Sequence, residues 1–229
     1  MQAPTSAADL AQLTQDAAQG NPQAQAALAQ RLLDGSGVER DAPRALQLFL
    51  QAAAQQHAMA ANMAGRCLEN GWGAPVDLPR ATALYRQAAE AGLEVGMYNY
   101  ANQLASGQAI AQDHRKALGW YSQAASLGHF KSMTKAGRYF EDGLVVPQDL
   151  GQAFSSYRQA AEGGDFRGQF CYAGMLAAQG RTEEALQWLR KVPATATPKY
   201  LAEAGQLLLA SPNEAFREIG REMLARAAA

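Results

Sequence analysis

The spacing of apolar residues repeats along this chain with a fixed step of 36 residues. Within Asp113–Gly128, Ala117, Tyr121 and Ala124 are spaced as i, i+4 and i+7, which places them on one face of a helix. The same sequence motif occurs four times at this spacing. Its first apolar residue, which we call the anchor, is Ala45, Ala81, Ala117 and Ala153 in the four copies. Four copies without an insertion or deletion predict an array of helical repeats.

Each predicted helix of this kind begins at an aspartate and ends near a small residue. Asp113 is the expected N-cap of its helix, because its carboxylate can accept hydrogen bonds from the unpaired amides of the first turn. The same aspartate occurs in every copy, at Asp41, Asp77, Asp113 and Asp149. Three copies close at Gly92, Gly128 and Gly164, which suits a left-handed helix terminus. The other copy has Gln56 there, so we expect its turn to be made differently.

A second apolar pattern precedes each of these helices, so every repeat is predicted to be a helix pair. In the first copy Asn21 is the expected cap, Pro22 takes the first helical position, and Leu28 faces inward. The loop that follows contains Gly35 and Gly37, which favour a tight reversal of the chain.

These repeats predict one all-α solenoid domain over residues 1–229, closed at both ends by capping helices. The N-terminal capping helix is assigned to residues 6–19 with Ser6 as its N-cap, and residues 1–5 are expected to fray. The four full repeats and a shortened fifth are assigned to residues 20–55, 56–91, 92–127, 128–163 and 164–192.

The fifth repeat breaks the register, because its anchor Ala185 follows the preceding anchor by 32 residues. We expect Thr182 to cap its second helix and Pro193 to stop that helix. Two C-terminal capping helices are assigned to residues 197–227, and their expected openings are Thr197-Pro198 and Ser211-Pro212.

Composition narrows the classes of partner and compartment. Hydrophobic residues make up 48% of the chain, a figure inflated by alanine, and aromatic residues only 8%. The net charge of −1 gives no overall basic field to hold a nucleic acid or an anionic membrane.

No apolar run approaches the ~20 residues that span a bilayer. The start of the chain has no signal-peptide pattern, yet a mature exported protein with an added initiator would look the same. Periplasmic and cytoplasmic locations therefore both stay open.

Residues that could carry catalysis are few and scattered. Cys67 and Cys171 lie almost three repeats apart, too far for a disulfide, and are expected to be small core residues. His57 and His129 share one repeat position but lie two repeats apart, too far for one metal ion. His114 follows a capping aspartate and should be solvated. The sequence therefore predicts a non-enzyme without a catalytic residue, metal site or cofactor.

The motifs G-N-P-Q-A…L…D-G-S-G-V-E-R-D-A-P-R-A (residues 20–45) and D-H-R-K-A-L-G-W-Y-S-Q-A-A (residues 113–125) resemble the Sel-1-like repeat, a relative of the tetratricopeptide repeat. The resemblance covers about Gly20–Gly164, with a tetratricopeptide-like fifth copy. It implies an α/α superhelix in which the first helix of each repeat lines the concave face. It also implies scaffold or adaptor roles without enzyme activity. Some bacterial members are exported, and some are immunity proteins that neutralise toxic effectors of type VI secretion, including phospholipases.

The concave groove and the loop edge are the expected binding surface. If Leu28 and Ala29 pack against neighbouring helices, positions 26, 30, 33 and 34 face the groove. The equivalent positions of later repeats follow at multiples of 36 residues. The candidate partner-binding residues are Asn62, Arg66, Glu69, Asn70, Trp72, Tyr98, Asn102, Arg138, Glu141 and Phe170. Trp72, in a Gly-x-Gly loop, is either a partly exposed anchor or packs over the next loop near Gln108, and both interpretations stay open.

The sequence favours a monomeric bacterial module that binds a partner protein by surface complementarity. The alternative is an immunity protein that occludes the active site of a secreted toxic effector. A purely structural spacer and an enzyme are two further classes; the first predicts no effect of groove substitutions and the second requires a clustered titratable site or a cofactor.

Overall fold

The computed structural model describes residues 7–228, and the expectations for residues 1–5 and for the Ser6 cap lie outside this range. The predicted all-α fold of paired helices is confirmed, since no β-strand occurs within residues 7–228. Most helices span 13 residues, as expected from one repeated phrase. The helices are α1 (Ala7–Ala18), α2 (Pro22–Asp34), α3 (Ala42–Ala54), α4 (Ala58–Asn70), α5 (Leu78–Glu90), α6 (Glu94–Ser106), α7 (His114–Ser126), α8 (Phe130–Asp142), α9 (Leu150–Glu162), α10 (Phe166–Ala178), α11 (Thr182–Leu189), α12 (Pro198–Leu209) and α13 (Glu214–Ala228), with a 3₁₀ turn at Val192–Ala194.

The four repeated aspartates cap the second helix of their repeats, as predicted. Each Oδ1 accepts a hydrogen bond from the amide three residues on, at 2.9–3.0 Å. Such a cap stabilises a helix by about 1 kcal/mol, because it satisfies an amide that the helix itself leaves unpaired. The four caps fix where α3, α5, α7 and α9 begin.

The expectation that the turn at Gln56 is made differently is wrong. Gln56 has φ +63°, in the same left-handed region as Gly92 at +87° and Gly128 at +90°. Its amide donates to the Ala53 carbonyl oxygen at 3.0 Å, so the helix terminus has the same form. The packing of α3 and α4 imposes one turn geometry on this position even where the residue has a Cβ.

The fifth repeat and the C-terminal helices depart from the sequence expectations in three places. Thr182 is the first residue of α11 rather than its cap; Arg181 holds the cap position and its guanidinium bonds Glu184 at 2.6 and 2.7 Å. α11 ends at Leu189, ahead of Pro193, which lies in the 3₁₀ turn. The last helix starts later than expected from Ser211-Pro212, because the Asn213 side chain accepts from the Ala215 amide at 2.9 Å. Thr197 caps α12 as predicted, accepting from the Tyr200 amide.

The chain forms two compact units, Met1–Ala124 (unit 1) and Ala125–Ala229 (unit 2). In unit 1, helices α1 to α6 pack against their neighbours in chain order. In unit 2, α8, α9, α10 and α11 do the same, and α12 packs against α13. The core of each unit is built from small alanines around one large ring per repeat. The fully buried rings are Phe49, Tyr85 and Tyr121 in unit 1 and Tyr157 in unit 2.

Candidate partner-binding surface

In unit 1, Arg66 and Trp72 form a stacked pair at the end of α4. The Arg66 guanidinium carbon lies 5.5 Å from the centre of the Trp72 ring, a cation–π distance. Arg66 is exposed, and its carbonyl oxygen accepts from the exposed Asn70 side chain at 2.8 Å. The pair therefore presents a guanidinium to solvent on a rigid aromatic support.

Trp72 packs toward the first repeat rather than near Gln108. It is half-buried against the core of unit 1 and lines a depression of about 200 Å³ together with Leu33, Arg40 and Met63. The interpretation that placed it over the next loop is wrong. The loop holds this position through Gly73, which has φ +82° and lies where a Cβ would collide with the Ala42 carbonyl oxygen. A glycine is required there, and the loop is pinned to the start of α3.

Several predicted groove residues instead accept hydrogen bonds inside the repeats. Asn62 is 1% exposed and its Oδ1 accepts from the Asn99 side chain at 2.8 Å, so the expectation that it contacts a partner is corrected. Glu69 is half-buried and accepts from the Tyr85 hydroxyl at 2.8 Å and from the Gln103 amide at 2.7 Å. These side chains hold neighbouring helices together.

The hydroxyl of each repeat tyrosine needs such an acceptor, because the ring is buried. Tyr121 donates to Asn102 at 2.7 Å in unit 1, and Tyr157 donates to Glu141 at 2.6 Å in unit 2. Burial raises the pKa of Tyr85, and the hydrogen bond to Glu69 raises it further. These phenols stay neutral donors, so Glu69, Asn102 and Glu141 position the core.

A glycine on the first helix lets the tyrosine ring lie close to the backbone of that helix. A Cβ at Gly65 would lie 2.8 Å from Tyr85 Cε1, and a Cβ at Gly137 would lie equally close to Tyr157. The bare glycine lets the ring lie on the helix backbone, where its hydroxyl meets the glutamate. The third repeat has Ala101 at the glycine position and Ala105 at the glutamate position, and its Tyr121 donates to Asn102 instead. This pairing was not predicted, although the two glycines and the two glutamates are both 72 residues apart.

Two histidines act as helix caps, a role that the sequence analysis also missed. His57 Nδ1 accepts from the Ala60 amide at 3.1 Å, which makes Nε2 the protonated nitrogen that donates to the Gln23 side chain at 2.8 Å. His129 Nδ1 lies 3.3 Å from the Ser132 amide. The signal was available, because both positions follow the capping Asn21 by whole steps of 36.

Both cysteines are free thiols; Cys67 is a buried core residue as expected, whereas Cys171 is only half-buried and lies near Tyr157, Glu141 and Arg138. Burial raises the pKa of the Cys67 thiol to about 11, and burial likewise raises that of Cys171 to about 11. Both stay protonated near neutral pH and are weak nucleophiles. Among residues 7–228, no group of three or more His, Cys, Asp or Glu side chains is arranged to hold a metal ion.

In unit 2 the predicted contacts Arg138 and Phe170 lie on α8 and α10. The Arg138 side chain is 75% exposed and makes only a 3.7 Å pair with Asp142. Phe170 is half-buried, with its ring centre 6.1 Å from that of Tyr200. In unit 1, Tyr98 is half-buried with its ring centre 6.0 Å from that of Tyr121.

The Sel1 repeat family matches residues 22–57, 58–93, 95–129 and 131–165, which is more than half of the chain. A Sel1 repeat protein from Oxalobacter formigenes is 27% identical with a TM-score of 0.80, over 92% of this chain and 86% of that one. The protective antigen c5321 of uropathogenic Escherichia coli, described as displaying an SLR fold, is 25% identical with a TM-score of 0.77 over 94% of this chain. This chain spans about half (47%) of that structure.

The immunity protein Pa5087 of Pseudomonas aeruginosa shares the fold alone. It is 14% identical with a TM-score of 0.57, over 90% of this chain and 81% of that one. A comparison with curated proteins gave no match. Within the described range, none of the helices is both long and apolar enough to cross a bilayer.

Proposed function

This chain belongs to the Sel1 repeat family, and from that premise we propose that it binds a partner protein and has no enzymatic activity of its own. One observation carries the proposal: the exposed Arg66 stacked on Trp72 in a loop pinned at Gly73. Arginine and tryptophan are the residue types that dominate interface energies when a rigid scaffold presents them. A surface already held in one conformation loses little entropy on binding.

The remaining predicted residues divide into contacts and supports. We assign Asn70 and Tyr98 to a contact surface of unit 1 with Arg66 and Trp72, and Arg138 and Phe170 to a separate contact surface of unit 2, since each is exposed or half-buried. Glu69, Asn102 and Glu141 act as supports through their bonds to the repeat tyrosines. A substitution at a support changes stability first, a substitution at an exposed contact such as Arg66 changes affinity, and a substitution at a half-buried contact such as Trp72 changes both.

A site-specific cross-link tests the proposal. A photoreactive residue at position 70 lies beside Arg66, while the same residue at position 86 lies on α5, where Arg86 pairs only with Glu90. We expect irradiation of cells to link position 70 to one protein that position 86 does not reach. Equal products from both positions, or none from position 70, would contradict the proposal.

The second candidate is an immunity protein that occludes a toxic effector. It is supported by the fold likeness to Pa5087, which is described as an immunity protein, and that likeness does not extend to sequence. An immunity gene adjoins the gene of its effector, so the neighbouring genes name the protein to test. Co-expression should rescue cells from that effector, and failure to rescue would remove this candidate while leaving the first intact.

A further inference from the structure

A second surface, in unit 2, concentrates positive charge beside aromatic rings. We call Lys135, Arg138, Arg167, Phe170 and Tyr200 the basic–aromatic surface. Lys135 and Arg138 are three residues apart on α8 and share a helix face, while Arg167 comes from the first turn of α10. All three cationic residues are exposed.

The aromatic part of this surface fixes the position of Arg167. Its guanidinium carbon lies 4.5 Å from the centre of the Phe166 ring and 5.2 Å from that of Tyr200. The Tyr200 ring in turn contacts Phe166 at 4.7 Å and Phe170 at 6.1 Å between centres. Stacking leaves the in-plane N–H donors of a guanidinium free for carboxylate oxygens.

The helices that carry the three cations meet here, because the Thr134 hydroxyl next to Lys135 bonds Asp165, two residues before Arg167, at 2.6 Å. Burial of its amine, and then the charges of Arg167 and Arg138, lower the pKa of the Lys135 ammonium. Lys135 is an exposed residue, so water and a ligand can reach its side chain. Repulsion of this kind costs stability, and a bound anion would relieve it.

The acids around this surface leave two of the cations without a counter-ion. Asp165 is 7% exposed and its Oδ2 accepts from the Thr134 hydroxyl at 2.6 Å and from the Gly168 amide at 3.0 Å. Glu141 accepts from Tyr157, and Asp142 pairs with Arg138 at 3.7 Å. Within residues 7–228, no acid lies within 4 Å of the Lys135 amine or the Arg167 guanidinium.

We propose that the basic–aromatic surface binds an acidic segment of the partner protein, with carboxylates on Lys135, Arg138 and Arg167 and an apolar side chain against Phe170 and Tyr200. The proposal rests on the function proposed above and adds the chemistry of the partner. A nucleic acid fits less well, because bases stack on open aromatic faces and here Arg167 lies over Phe166 and Tyr200.

Fluorescence anisotropy of a labelled glutamate–tyrosine copolymer with the full chain tests the proposal. We expect Lys135→Glu and Arg167→Glu each to weaken binding by about tenfold or more, since each turns an attraction into a repulsion. Lys135→Arg keeps the charge and should bind as the wild type does. The matched control is Arg158→Glu on α9, which makes the same change of net charge where the arginine pairs only with Glu162.

Several results would overturn the proposal. They are no binding of the copolymer, an equal loss in Arg158→Glu, or tighter binding of heparin or of phosphatidylglycerol vesicles than of the copolymer. Circular dichroism melts of each variant separate a folding defect from a binding defect. If the protein cross-linked at position 70 binds Lys135→Glu as tightly as the wild type, this surface is excluded while the proposed function stands.

Discussion

At the scale of single residues, Gln56 shows what the repeat imposes on its sequence. It is the one non-glycine with a positive φ among residues 7–228, at a position where Gly92, Gly128 and Gly164 stand in the later copies. The left-handed region costs an ordinary residue about 1–2 kcal/mol. The fold tolerates this strain because the helices on both sides of the turn are fixed by packing.

Replacing Gln56 by glycine should therefore stabilise the protein. Relief of the left-handed strain exceeds the extra chain entropy of glycine, so we expect urea unfolding to give a gain of roughly 0.5–1 kcal/mol. Gly92→Ala is the matched control, and it should lower the free energy of unfolding. A Cβ at position 92 meets nothing within 4 Å, so the effect comes from the backbone conformation alone. A loss of stability in Gln56→Gly would contradict the account of this turn.

Gly65 should be sensitive to the smallest possible side chain. Gly65→Ala places a Cβ 2.8 Å from Tyr85 and displaces the hydroxyl from Glu69, which should cost about 1–3 kcal/mol. Gly119→Ala on α7 is the control: its Cβ meets nothing, and alanine should stabilise the helix by up to ~1 kcal/mol. Equal effects from both substitutions in urea unfolding would show that Tyr85 does not pack on Gly65.

At the scale of helices, much of the fold follows from the sequence, because one phrase recurs with its cap and anchor in a fixed step. Asp113 could be assigned as a cap because four copies agree on it. The fifth repeat has no second copy to compare, and there α11 begins one residue earlier than expected, with Arg181 rather than Thr182 at the cap position. Contacts between helices, such as Tyr85 to Glu69, follow from packing and not from helical period, so the only signal for them was the shared spacing of the glycines and glutamates.

The cap at Asp113 makes a prediction with a pH dependence. Asp113→Ala should lower the free energy of unfolding at pH 7, because the Lys116 amide loses its acceptor. Hydrogen bonds from that amide and from the Lys116 side chain lower the pKa of Asp113. Because the pKa of Asp113 is lower in the folded protein than in the unfolded chain, the ionised carboxylate stabilises the fold at pH values above the unfolded pKa. This stabilisation is lost as the pH falls through the folded pKa. The difference between wild type and Asp113→Ala should thus shrink in urea titrations near pH 3, and a constant difference would contradict this.

At the scale of the whole molecule, the residues that recur at one position of every repeat pack the helices together. The residues that differ between repeats are available to bind a partner protein. The family pattern predicted which side chains point away from the packed helices. Only the packing shows that Asn62, Glu69 and Glu141 accept hydrogen bonds from neighbouring side chains. Arg66 stays exposed on α4, where it lies over the Trp72 ring that the pinned loop holds half-buried against the core. The proposed contact surface of each unit therefore contains fewer residues than the groove predicted from the sequence.

The affinity of the protein cross-linked at position 70 tests the central claim most directly. Calorimetric titration of that partner into the wild-type chain, Arg66→Ala and Trp72→Ala should show losses of about 2 kcal/mol or more for both variants. Arg86→Ala, an exposed arginine paired with Glu90, should bind within about 0.5 kcal/mol of the wild type. Equal affinity for all four proteins, with unchanged melting curves, would contradict the claim that this surface binds the partner.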